Sequence, residues 1–109
     1  VADFIGRKYG KETVRLVLKD QYYNMREMVE PHPEVIDKAF RAMEMADVVP
    51  LVKPIRGGTD GARLSYMGLP CPNIFTGGMN FHGKFEYISL QTMEKAKRTI
   101  VNLAALWAE

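Results

Sequence analysis

One cysteine, one tryptophan and two histidines are spread over 109 residues, and these scarcities exclude several classes of protein. The single thiol, Cys71, cannot form an internal disulfide, which suits a reducing compartment and a cytoplasmic location. The spacings C-x-x-C, H-x-x-H and H-E-x-x-H are missing, so the chain carries no self-contained zinc motif. Neither the G-x-G-x-x-G fingerprint nor a Gly-Lys-Ser/Thr phosphate loop occurs. No basic segment leads into an apolar one at VADFIGRKYG, so no secretory signal is visible. The longest uncharged run, Leu64 to Gly83, is interrupted by glycines and prolines and lacks the apolar density of a bilayer helix. Charge of one sign is also scarce: 15 basic residues face 13 acidic ones, and a dispersed net charge of +2 is too small to expect a nucleic-acid partner.

What is present is an ordinary soluble composition, 47% hydrophobic and 26% charged. The length suffices for one compact domain that would bury about 65% of its unfolded surface. The chain begins at Val1 without a methionine, in what reads as the end of a helix, so a fragment of something larger is expected. Ala2 to Tyr9 has helical spacing and stops at Gly10. Thr13 to Met25 alternates Val14, Leu16 and Leu18 with Arg15, Val17 and Lys19, the pattern of a strand. Pro33 suits the first position of a helix over Glu34 to Ala46, with Ile36, Ala39, Phe40 and Met43 on its buried stripe. Pro50 to Arg56 reads as an edge or irregular strand. Asp60 is placed to cap a short helix from Gly61 to Tyr66, ended by Gly68. Asn73 to Thr76 reads as a brief buried strand, followed by a turn at Asn80-Phe81-His82-Gly83. Ser89 caps a final helix whose repeat is Met93, Ala96, Ile100, Leu103 and Trp107.

Chemistry concentrates between Pro54 and Glu86, which holds most of the glycines and the only cysteine. Arg56-Gly57-Gly58-Thr59 joins a planar guanidinium to glycines whose amides could approach the same anion. A plain turn with a surface arginine explains that spacing equally well. His82 lies in a turn after a strand and could offer a neutral ring nitrogen to a metal; a lone turn histidine is more often simply solvated. Glu86, four residues on, reads as a supporting or surface carboxylate. Asp60 reads as a cap rather than an acid, and Cys71, between prolines with no basic neighbour, as a packed thiol. His32 reads as a surface residue.

Several of these strings are specific. PIRGGTDGARLSYMGLPCPNIFTGG, then NFHGKFE and a helix containing MEKA, resembles the C-terminal part of the peptidase T family, bacterial tripeptide aminopeptidases of the two-zinc peptidase and deacylase superfamily. DQYYNMRE and HPEVIDKA resemble the stretch preceding it, so the likeness covers essentially the whole chain. It implies an α/β fold: residues 1–56 as the second half of a ferredoxin-like lid domain, and residues 57–109 as the C-terminal strand and helices of the catalytic domain. It implies zinc, two ions per intact site, with His82 matching the last ligand in N-x-H-G-K. The other ligands and the general-base glutamate of the family have no counterpart in these residues. Arg56 would bind the C-terminal carboxylate of a tripeptide, with Gly57, Gly58 and Thr59 shaping the pocket. Met79 departs from the aromatic expected there. The implied partners are the tripeptide and the rest of the catalytic domain, with no nucleic acid and no membrane. The competing expectation is a non-catalytic module that self-associates as a homo-oligomer through an unpaired sheet edge.

Overall fold

The computed structural model describes residues 1–109. In order it contains α1 (Ala2–Tyr9), a 3₁₀ turn (Lys11–Thr13), α2 (Arg26–Val29), α3 (Pro33–Glu44), α4 (Asp60–Tyr66), β1 (Gly78–Met79), β2 (Tyr87–Ile88) and α5 (Leu90–Ala108). It is a mixed helical fold with one small two-stranded sheet, broadly α/β. The length would suffice for one compact domain, but the chain does not form one. The radius of gyration is 19.8 Å, where a compact chain of this length would have about 13 Å. The accessible surface is 9366 Å², against about 6,100 Å² for a folded protein of this mass. Only 10 of 109 residues are buried, so packing is local rather than central. No helix is long and apolar enough to cross a membrane.

The largest packed unit pairs α3 with α5. Pro33 supplies the fixed backbone angle at the start of α3. Its stripe buries Ala39 and Ala42, continued by Ala46 just beyond the helix. Polar bridges set the register: Lys38 Nζ donates to the Leu106 carbonyl (2.6 Å), Asn102 Nδ2 to that of Ala42 (3.2 Å) and Lys95 Nζ to that of Asp47 (2.7 Å). Residue numbers rise on one helix as they fall on the other, so the pair is antiparallel. Side chains of α5 thereby satisfy carbonyls at the end of α3 that have no partner within their own helix. This register corrects the stripe expected for α5. Ala96, Thr99 and Leu106 are buried, whereas Met93, Ile100 and Trp107 are exposed, about a quarter-turn away around the helix.

The second unit is α4 with the loop that follows it. Thr59, not Asp60, is the cap: its Oγ1 accepts from the Ala62 amide (3.3 Å), and Asp60 becomes the first helical residue, where its charge suits the helix dipole. At the other end Gly68, at φ 95°, allows the Leu69 amide to reach the Leu64 carbonyl and its own amide that of Ser65, a Schellman closure. Buried Ser65 donates its hydroxyl to the Gly61 carbonyl (2.7 Å) and accepts from the Cys71 amide (3.0 Å). Gly61 has no room for a side chain, because a Cβ would collide with the Cys71 carbonyl oxygen.

Three expected strands are corrected. Residues 14–24 and 50–56 form no ladder, and Asn73–Thr76 is not a strand. The sheet pairs Gly78 with Ile88 and Met79 with Tyr87, antiparallel. A strand exists through its partner's hydrogen bonds, and the 14–24 segment has none. Alternation therefore selects no face there: Leu16 is 62% exposed and its neighbour Val17 is 61% exposed. Ser89 caps α5 as expected, its Oγ accepting from the Thr92 amide (3.0 Å).

Ser65→Ala removes a buried donor and a buried acceptor together and is expected to lower stability by about 1–3 kcal/mol in denaturant unfolding. Thr99→Val removes only a bond to the carbonyl four residues back within its own helix, and its loss is expected to be smaller.

Candidate functional site

The turn into α4 shapes the candidate site. Gly57 holds φ 87°, a backbone that side chains rarely adopt. Gly58 lies against the Tyr22 ring, and a Cβ there would collide with it. Thr59 is engaged on two sides, since its Oγ1 caps α4 and also accepts from Asn73 Nδ2 (3.1 Å). Arg56 is exposed and takes part in no hydrogen bond or ion pair, so its guanidinium is free to meet an anion. Next to this turn opens a cleft of about 570 Å³ lined by Tyr22, Gly58, Thr59, Asp60, Gly61, Arg63 and Asn73.

Behind Tyr22, the chain is held onto α4. The Tyr66 hydroxyl donates to the Glu27 carboxylate and lies 3.1 Å from the Asn24 carbonyl oxygen. The Tyr23 and Tyr66 rings meet at 5.7 Å between centroids, tilted by 56°. The hydrogen bond to Glu27, aided by partial desolvation and by the carboxylate's charge, pushes the Tyr66 phenol up to about 12.

His82 sits apart. It holds φ 64° in the turn between β1 and β2, where Asn80 is also left-handed at φ 56°. Its amide donates to Glu86 Oε2 (2.9 Å), and Asn80 Nδ2 donates to the Phe85 carbonyl (3.3 Å). Glu86 therefore braces the backbone of the turn and leaves the imidazole unbonded. No hydrogen bond joins this turn to Arg56–Thr59, and none of its residues lines the cleft. No group of three or more His, Cys, Asp or Glu side chains is placed to hold a metal ion, so these 109 residues do not by themselves fit zinc.

The structure thus joins Gly58 and Thr59 in one cleft, with Arg56 two residues away along the turn, and leaves His82 separate. It adds Tyr22, Arg63 and Asn73, which carried no signal of their own in the sequence. Tyr22 and Asn73 lay within DQYYNMRE and GLPCPN, where spacing alone gives them no role. Cys71 is a half-buried free thiol held by its amide, and His32 sits 3.4 Å from Glu34 on the surface.

No family model matches the chain. Curated relatives do. It is 60% identical over 108 residues to a protein named peptidase T from Bacillus velezensis, which covers 99% of this chain and 26% of the relative. It is 60% identical over 108 residues to peptidase T of Clostridium acetobutylicum, again 99% of this chain and 26% of the relative. With peptidase T of Vibrio parahaemolyticus it shares 64% over 104 residues, 95% of this chain and 25% of the relative. The chain belongs to the peptidase T family. It spans about a quarter of the length of the curated relatives it matches. The family strings IRGGTDGA and GLPCPN are the two that α4 and its loop bind together through Gly61, Ser65 and Cys71.

Tyr66→Phe should abolish the last phenol to ionise in an alkaline absorbance titration. Because the folded pKa is raised, the contact to Glu27 stabilises fully below pH 10, the ordinary tyrosine value, and is lost as pH rises through about 12.

Proposed function

We propose that these residues are part of a cytoplasmic, zinc-dependent tripeptide aminopeptidase, which removes the N-terminal residue of a tripeptide. The observation that carries this reading is an unpaired Arg56 guanidinium on a glycine turn beside a polar cleft, in a chain 60% identical to a peptidase T. Arg56 binds the tripeptide's C-terminal carboxylate through a two-pronged pair; Gly57, with open space where a side chain would stand, leaves room for that carboxylate to approach the turn, and Gly58 shapes the pocket by seating the Tyr22 ring. Thr59 holds the turn in place as the cap of α4. His82 serves as one zinc ligand, its imidazole left free by the Glu86 brace on its backbone. The remaining ligands and the general-base glutamate would come from the rest of the longer protein. Residues 1–56 form half of a lid of ferredoxin-like architecture, and residues 57–109 belong to the catalytic domain.

In the full-length protein, Arg56→Lys is expected to raise KM for tripeptides roughly tenfold, because the planar fork is lost while the charge remains. An unchanged KM in steady-state assays removes the role. His82→Ala is expected to lower zinc content, read by elemental analysis; full occupancy with normal turnover overturns the ligand assignment.

A second reading is favoured by the surface of 9366 Å² and the unpaired 14–24 segment: the 109 residues alone form a non-catalytic, self-associating module. The isolated chain is then expected to elute as a homo-oligomer in size-exclusion chromatography and to hydrolyse no tripeptide. A monomeric elution removes this reading.

A further inference from the structure

The cleft beside the glycine turn has one apolar wall. Of its lining residues only Tyr22 is hydrophobic; Thr59, Asp60, Arg63 and Asn73 are polar and the rest are glycines. The Tyr22 ring packs on Gly58 so closely that no side chain fits at that position. It is held from behind, because the two residues after it, Tyr23 and Asn24, and then Glu27 all meet Tyr66 of α4. Tyr22 is 46% exposed in spite of this, so part of the residue remains open for contact.

We infer that Tyr22 is a specificity-determining residue whose ring packs against an apolar side chain on the C-terminal residue of the tripeptide. The inference rests on the carboxylate-binding role proposed for Arg56. Gly58 follows Arg56 by two residues, which separates their Cα atoms by at most about 7 Å. A carboxylate gripped by Arg56 on the cleft side of the turn leaves the side chain on the same residue within reach of a ring seated on Gly58. An aliphatic or aromatic group there gains contact area with the ring, whereas glycine gains none. Tyr66 acts as a positioning residue, since it fixes the 23–27 segment that carries the ring.

The test uses the full-length protein and two tripeptides identical except for C-terminal leucine or glycine. The wild type is expected to favour leucine through KM. Tyr22→Ala is expected to reduce that preference roughly tenfold, again through KM, and Tyr22→Phe to keep it. Gly58→Ala, which forces the ring from its seat, is expected to reduce the preference as well, and it reads the same ratio should Tyr22→Ala fail to fold. Tyr66→Phe is expected to reduce it in the same direction. A leucine-to-glycine ratio unmoved by Tyr22→Ala overturns the inference, and so does an equal loss on both substrates, which marks a structural role. Arg56→Lys separates the two readings. If it raises KM for both tripeptides while the Tyr22 ratio stays fixed, only the Tyr22 inference fails. If it raises neither, the carboxylate site fails and the inference with it.

Discussion

The buried hydroxyl of Ser65 is the contact on which the rest of the candidate site depends. It donates to the Gly61 carbonyl inside α4 and accepts from the Cys71 amide in the following loop, so one side chain ties a short helix to the segment that returns along it. A helix of seven residues has little stability of its own. Here it is completed by the Thr59 cap, the Schellman closure at Gly68 and the missing side chain of Gly61. The cleft inherits this rigidity, because Thr59 and Asn73 are bonded to each other across the same junction.

A second dependence runs through Tyr66. Its hydroxyl and ring gather Tyr23, Asn24 and Glu27, and so bring a segment some forty residues earlier against α4. Without that contact Tyr22 would have no defined place on Gly58. The cleft is thus made from two stretches distant in sequence, each held by a contact outside the cleft itself. The α3–α5 pair is a separate body of packing, stitched by lysine, arginine and asparagine side chains to helix-end carbonyls.

Much of the surface is apolar and uncovered. Phe4, Leu18, Val49, Val52, Ile100 and Trp107 are all exposed, and the 14–24 backbone lacks ladder partners. Burial of such groups is the main favourable term in folding, and unpaired strand backbone is a template for association. The strand expected over Thr13 to Met25 is missing for a physical reason: the alternating pattern at Val14–Lys19 specifies a strand only when another strand supplies its hydrogen bonds.

Local signals were legible. Pro33 opening α3, Gly10 and Gly68 closing helices, Ser89 capping α5 and the turn at Asn80–Gly83 all follow from the intrinsic preferences of single residues, which need no distant partner. The strings around Arg56 and His82 likewise marked the family by themselves. What the tertiary structure alone decided is everything that requires two separated segments to meet. Thr59, already the local cap of α4, was also tied to Asn73; the face of α5 turned to follow α3; and Tyr22 came to rest on Gly58. Spacing along a chain reports periodicity and turn preference, but not which of several apolar faces finds a partner or which side chain fills the space a glycine leaves.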